Sequence, residues 1–214
     1  MAGSIADIRK NYSRKTLSES GVKANAIDQF SVWWQEALEA EIDEVNAMTL
    51  ATSTTTGMPS ARIVLLKDYS AEGFVFFTNY NSAKGKEMAE NPNACLVFFW
   101  KELERQVKIV GTVTKVTAEA STAYFDSRPP DSRVGAHVSP QSEIIPNREW
   151  LDNRLAELQK QYEGKKVDRP AHWGGYIVKP ELIEFWQGRP DRLHDRLQYT
   201  HNNDGSWKID RIAP

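Results

Sequence analysis

Phe185-Trp186-Gln187-Gly188-Arg189-Pro190-Asp191-Arg192-Leu193-His194-Asp195-Arg196 lies near the end of the 214-residue chain, and its reading sets the fold class. From Arg192 onward the residues alternate, with Leu193, Leu197 and Tyr199 interleaved among Arg192, His194 and Arg196. A strand places successive side chains on opposite faces, so this period of two predicts a strand over Arg192 to Thr200. Asp195 is the exception on the apolar side. Read this way, two guanidiniums and an imidazole form one row behind a Trp and a Gly. Such a row suits an anionic, planar ligand. It equally suits a solvated edge strand whose charges discourage aggregation. The segment alone leaves both readings open.

The same period recurs outward along the chain. Met48 to Ser53, Ala61 to Asp68, Phe74 to Asn79, Ala94 to Lys101 and Arg105 to Val116 are rich in Val, Ile, Thr and Phe. Turn signals separate them at Thr56-Gly57-Met58-Pro59, Ser70-Ala71-Glu72-Gly73 and Asn91-Pro92-Asn93. Strands are also expected over Gly175 to Val178, Leu182 to Gln187 and Trp207 to Ile212, with Asn203-Asp204-Gly205 as the last hairpin turn. Short connections between so many strands imply an antiparallel barrel or sandwich, mainly β with flanking helices. Asn25 is placed to cap a helix whose apolar face is Ile27, Phe30, Trp34, Leu38 and Ile42. Further helices are predicted over Ser82 to Glu90, Ala118 to Ser127 and Arg148 to Tyr162. The stretch between the last two, with Arg128-Pro129-Pro130-Asp131-Ser132, reads as irregular. Residues 1–25 read as a mobile N-terminal arm with a helical turn around Ile8 to Tyr12. Nothing divides the remainder, so 26–214 is expected to form a single domain.

Bulk properties narrow the function. A net charge of -2 gives no general attraction to nucleic acid or anionic lipid, so any anion site must be local. Cys95 is the one cysteine and sits in an apolar run, where a small buried hydrophobe is expected rather than a nucleophile. No apolar run approaches the ~20 residues of a membrane span, and no signal-peptide core is visible, so a cytoplasmic protein is expected. The chain lacks a Gly-x-Gly-x-x-Gly turn, a Gly-Lys-Ser/Thr loop and a metal-ligand spacing among its four histidines.

What remains is a supply of phosphate-type donors at element ends. Arg62 and Lys67 bracket a strand, and at five positions apart they point to opposite faces of a regular strand, toward two different anions. Phe77-Thr78 ends one strand, and Ser82-Ala83-Lys84 opens a helix whose N–H groups, hydroxyl and ammonium could hold a phosphate. Tyr124, Arg128 and Ser132 are spaced by four, and Pro129-Pro130 brings them together from a helix end and its loop. A phenol, a guanidinium and a hydroxyl suit a phosphate monoester. Each cluster also has a plainer reading, as a helix cap or a dipole-facing Arg. Two such clusters together suggest one phosphorylated cofactor and one phosphorylated substrate.

Six segments, in order, resemble the pyridoxamine 5'-phosphate oxidase family. They are Arg62-Ile63-Val64-Leu65-Leu66-Lys67; Glu104-Arg105-Gln106-Val107; Ser127-Arg128-Pro129 with Asp131-Ser132; Phe185-Trp186-Gln187-Gly188; Arg192-Leu193-His194-Asp195-Arg196; and Trp207-Lys208-Ile209-Asp210-Arg211. The resemblance runs from about Ile8 to Pro214. It implies an FMN-binding split β-barrel and a homodimer with FMN at the interface. The implied reaction is oxidation of pyridoxamine 5'-phosphate and pyridoxine 5'-phosphate to pyridoxal 5'-phosphate, with O2 as acceptor. Carried over by position, the FMN-binding residues are Arg62, Ile63, Val64, Leu65, Leu66, Lys67, Phe77, Thr78, Lys84, Gln106, Gln141, Ser142, Trp186 and Arg196. Lys67, Tyr124, Arg128 and Ser132 would hold the substrate phosphate. Arg192 and His194 would act at the pyridine ring as the catalytic pair, and Arg9 and Tyr12 would cover the site. Ala83 departs from the pattern, standing where many members carry Arg; that removes a charge-assisted contact worth about 1.5–3 kcal/mol. Two other readings stay open: a different flavin- or deazaflavin-dependent split-barrel reductase, and a non-catalytic carrier of FMN or pyridoxal phosphate.

Overall fold

The computed structural model describes Ile5 and residues 11–214. Among the described residues five α-helices, α1 (Ala26–Glu39), α2 (Ala83–Glu90), α3 (Ala118–Ser127), α4 (Pro130–Val138) and α5 (Arg148–Tyr162), flank nine strands. The strands are β1 (Ala47–Ser53), β2 (Pro59–Leu65), β3 (Asp68–Ser70), β4 (Gly73–Asn79), β5 (Asn93–Trp100), β6 (Arg105–Lys115), β7 (Trp173–Gln187), β8 (Asp195–His201) and β9 (Trp207–Arg211). Hydrogen-bonded neighbours run β2-β1-β5-β6-β7-β4-β3, with β8 on β7 and β9 on β8. The mainly β class with flanking helices is the one expected.

Local chemistry explains most boundaries. The Asn25 side chain accepts from the N–H groups of Ile27 at 2.8 Å and Asp28 at 3.4 Å, so α1 starts where expected. It ends at Glu39, because Glu41 takes a positive φ of 51°, and Ile42 lies beyond the helix. Its buried residues are Ala26, Ile27, Gln29, Phe30, Trp33 and Ala37, so Ile27 and Phe30 face inward as expected, while Trp33 and Ala37 take the places expected of Trp34 and Leu38, and Leu38 is exposed. Ser82 caps α2 through an acceptor contact with Gly85 N–H, and α3 and α5 have the predicted bounds. Part of the stretch read as irregular is helix α4, and residues 139–147 after it are irregular as expected. Pro130 sits in the first turn of α4, where a missing N–H costs nothing. The two strands expected around Pro180 are one. β7 pairs with β4 along Trp173–Val178 and with β8 along Leu182–Gln187, so Pro180 falls between those ladders.

The largest correction concerns the stretch from Phe185 to Arg196. The strand starts at Asp195, not Arg192. Pro190–Arg192 forms a 3-10 turn in which Asp191 and Arg192 hold φ of 55° and 62°. Pro190 fixes its own φ and the two left-handed residues reverse the chain, so Arg192 and His194 share no strand face with Arg196.

Two compact units are resolved by their internal contacts. The first takes residues up to Leu50, Cys95–Gly111 and Pro180–Pro214. The second takes Ala51–Ala94 and Thr112–Lys179. In the first unit the core is aromatic: Phe30 meets Phe98 at 5.4 Å between ring centroids, Trp33 meets Phe185 at 5.2 Å, and Phe185 meets Tyr199 at 5.3 Å. Edge-on rings of this kind fill volume densely and bury much apolar area. Within the stretch expected as an arm, Leu17 is buried and its N–H donates to Asp195 Oδ2 at 3.0 Å. In the second unit Phe125, Val134, Val138, Val167 and Trp173 form the core that joins α3, α4 and β7.

Candidate functional site

A cavity of about 820 Å³ opens in the second unit. It is walled by β2 and the residues after it (Arg62, Ile63, Val64, Leu65, Lys67), by the end of β4 (Phe77, Thr78, Asn79), and by Lys84 of α2. Tyr124 and Arg128 enter from the end of α3, Ser132 and Ser139 from α4 and the residue after it, and Gln141 and Trp173 complete the wall. The two donor clusters expected to serve separate phosphates therefore line one space. Arg62 and Lys67 also share it, against the expectation of opposite faces. The strand ends at Leu65, so the period of two no longer fixes Lys67, whose backbone N–H turns to bond Val75 O at 2.8 Å.

The cavity's cations differ in how they are satisfied. Arg62 is anchored by protein: Nη2 pairs with Glu87 Oε2 at 3.1 Å, and its guanidinium also donates to Thr52 and Ser60. Lys84 is 9% exposed, and its Nζ reaches only neutral oxygens, Gln141 Oε1 at 3.2 Å, Thr78 Oγ1 at 3.4 Å and Ser82 Oγ at 3.5 Å. A well-used ammonium donor stands at about 2.7–2.9 Å from its acceptor, so these contacts leave its donors under-used. Burial, with the Arg62 charge adding to it, lowers the Lys84 pKa. Arg128 lies over the Trp173 ring at 4.6 Å, and its Nη1 is buried with no hydrogen-bond partner. Burial lowers its pKa too. The Tyr124 ring stacks on Phe77 at 3.9 Å and runs parallel to Trp173 at 6.1 Å, giving the cavity a flat aromatic wall. Under-used cationic donors beside aromatic rings are the chemistry that a phosphorylated, ring-bearing molecule fits, such as FMN or a pyridine phosphate.

Several expected residues lie elsewhere. Leu66 is buried and does not line the cavity, and Ser142 is exposed with a φ of 73°. Gln106 on β6, Trp186 on β7, and Arg192, His194 and Arg196 belong to the first unit. There Trp186 packs against His194 at 4.6 Å and edge-on against Tyr12 at 5.8 Å. His194 Nδ1 accepts the Arg189 backbone N–H at 3.1 Å. Burial, then the Arg192 charge, lowers the His194 pKa. Arg196 donates from Nε to Glu184 Oε1 at 2.7 Å and from Nη1 to Ala213 O at 2.9 Å. The Arg189 backbone thus orients His194. Arg9 lies outside the described residues.

Sequence reasoning missed Asn79, Ser139 and Trp173 in the cavity, and the carboxylates Glu87 and Glu184 behind Arg62 and Arg196. A lone acid in a strand or helix carries no local signal of its partner. Among the described residues no His, Cys, Asp or Glu group could hold a metal ion, and no helix is long and apolar enough to cross a membrane.

The fold, with its cationic, aromatic-walled cavity, is that of a split-barrel protein of the flavin-binding class. Residues 34–162 match the family described as pyridoxamine 5'-phosphate oxidase, and residues 173–214 match the pyridoxine 5'-phosphate oxidase C-terminal dimerisation region. The chain belongs to the pyridoxine/pyridoxamine 5'-phosphate oxidase family. It is 58% identical to the pyridoxine/pyridoxamine 5'-phosphate oxidase of Trichormus variabilis over 100% of both chains. It is 54% identical to that of Paraburkholderia phymatum, over 98% of this chain and 99% of the other. Among solved structures, PhzG from Burkholderia lata in complex with tetrahydrophenazine-1-carboxylic acid superposes with a TM-score of 0.87 at 28% identity, covering 93% of this chain and 98% of that one. A pyridoxamine 5'-phosphate oxidase-related, FMN-binding protein from Nostoc punctiforme shares the fold, with a TM-score of 0.69 at 15% identity over 90% of this chain and 100% of that one.

Proposed function

We propose that this enzyme oxidises pyridoxamine 5'-phosphate and pyridoxine 5'-phosphate to pyridoxal 5'-phosphate with O2 as acceptor, releasing H2O2, and NH3 from the amine. The observation that carries the reading is a pair of cations on one aromatic-walled cavity with no ion pair among the described residues: the buried Lys84 and the half-buried Arg128, whose Nη1 is buried without a hydrogen-bond partner there. FMN, when bound, supplies the two-electron acceptor that O2 then reoxidises. Lys84, with Thr78 and Gln141, is assigned to its phosphate, and the β2 segment Arg62 to Lys67 and Phe77 to its remaining contacts. Gln106, Ser142, Trp186 and Arg196 are assigned to FMN on the family resemblance. The working form is a homodimer with FMN at the interface, a reading supported by the dimerisation region matched at 173–214.

Arg128, Lys67, Tyr124 and Ser132 are assigned to the substrate phosphate. Fixing that phosphate turns binding energy into orientation of the reacting carbon. Arg192 and His194 are assigned to the ring, with Tyr12 and Arg9 covering it. Because Nδ1 of His194 already accepts a hydrogen bond, the neutral imidazole carries its proton on Nε2 and acts as a donor there. The lowered pKa keeps the ring in that neutral form at physiological pH.

An oxygen electrode decides the reading. The purified protein should show flavin absorbance and consume O2 with either phosphorylated substrate. Binding of FMN without O2 uptake would make it a carrier, and a colourless protein that takes up no FMN would sink the enzyme reading altogether.

A further inference from the structure

Glu104 opens the Glu104-Arg105-Gln106-Val107 segment, yet none of the assigned cofactor or substrate contacts uses it. It is 3% exposed and holds a φ of 56°, a left-handed backbone that a side-chain-bearing residue keeps only when its surroundings fix it. Its carboxylate Oε2 accepts two successive backbone N–H groups, Ser13 at 2.9 Å and Arg14 at 3.2 Å. Its carbonyl accepts Gly188 N–H at 2.7 Å and Gln187 Nε2 at 3.2 Å. One residue therefore ties the chain just after Tyr12 to the turn that follows β7. Tyr12 lies against that same turn, 5.8 Å from the Trp186 ring and 6.0 Å from His194. A Cβ on Gly188 would stand 2.7 Å from Tyr12 Cγ, so the glycine is the seat of the ring.

We propose that Glu104 is a positioning residue that seats Tyr12 over Trp186 and His194 and so closes the ring side of the substrate site. The inference rests on the assignment of Tyr12 and His194 to the substrate. Asp195 secures the chain further along, at Leu17, whereas Glu104 holds the two residues that directly follow Tyr12. Glu104 touches no reacting atom, so its loss weakens substrate holding and spares turnover.

The test uses the full-length flavoprotein with Glu104→Gly, since glycine keeps the left-handed backbone while removing the side chain that carries the carboxylate. The expected result is a rise of about ten-fold in KM for pyridoxamine 5'-phosphate, with kcat and flavin absorbance changed less than about two-fold. Hydrogen exchange at the Ser13 and Arg14 amides should accelerate, and Glu104→Gln, which retains an acceptor oxygen, should restore most of the KM. Tyr12→Ala should give a similar KM, and Glu104→Gly should add nothing in that background. Gly188→Ala displaces the ring without touching Glu104, so it should raise KM even if Glu104→Gly does not fold. Additive effects of the Glu104 and Tyr12 changes, unaltered amide exchange, or an unaltered KM in Gly188→Ala would each overturn the proposal. If the wild-type protein consumes no O2, the proposed reaction fails instead, and amide exchange in Glu104→Gly still decides whether the clamp exists.

Discussion

The cations of the second unit's cavity and those of the first unit that gather on Glu184 and Asp195 are alike in chemistry but differ in how they are satisfied. Among the described residues Lys84 and Arg128 form no ion pair, and one Arg128 nitrogen has no hydrogen-bond partner. Arg196 and Lys108 converge on Glu184, while Arg211 is shared by Asp195 and Glu19. A buried charge is costly unless compensated, so a cation with an acid partner is holding the chain together. One left without an acid partner is the kind of group to which the proposed function assigns an anion. Arg62 shows that position alone does not decide this, because it lines the cavity and is still paired, with Glu87.

The contrast can be broken from either side. Glu184→Ala removes the acid from the paired set and leaves Lys108 and Arg196 uncompensated. Unfolding in urea should show a loss of about 3 kcal/mol, and a loss below about 1 kcal/mol would mean the network is decorative. Arg128→Leu acts on the unpaired set. It should lower kcat/KM for pyridoxamine 5'-phosphate about 100-fold, while the urea midpoint holds or rises because a poorly compensated buried charge is gone. A large fall in stability would place Arg128 among the structural cations. Lys84→Met should weaken FMN binding about ten-fold in a flavin titration and raise the melting temperature of the FMN-free protein.

A smaller effect depends on pH. Burial pushes the Glu184 carboxyl upward, but hydrogen bonds from Arg196 and Lys108 outweigh it and hold the group below its ordinary value. A depressed carboxyl contributes its stability in full above the unfolded value of about 4.3 and loses it as pH falls through the folded value. Acid titration of wild type against Glu184→Gln should therefore converge below about pH 4, and parallel curves would refute the linkage. The smallest effect is expected at Arg148 and Asp152, an exposed pair on α5 at 2.7 Å. Arg148→Ala should change stability by less than about 0.5 kcal/mol.

Much of this was readable in the sequence because the signals are local. Asn25, Ser82 and the strand periods placed α1, α2 and most of the sheet, and Arg62, Lys67, Lys84, Tyr124, Arg128 and Ser132 were found as donors. Two errors share a cause. A period of two was extended through Arg192 and Lys67, where Pro190 and the end of β2 had already broken the strand. Helix α4 was missed because Pro129-Pro130 was read as a stop, when the second proline is also a good first residue.

The sequence by itself determined the mainly β class, the supply of phosphate-binding donors and the family, since each depends on residue type and spacing along the chain. Only the tertiary structure decided which cations are free to bind. Whether Arg128 lacks an acid while Arg196 has one is set by residues far apart in sequence, and charge compensation acts through space. The stretch from Phe185 to Arg196 is the clearest case. Its composition announced a ligand row, but the fold turned it into a β7 terminus, a left-handed turn that aims His194, and a β8 start whose arginine is held by Glu184.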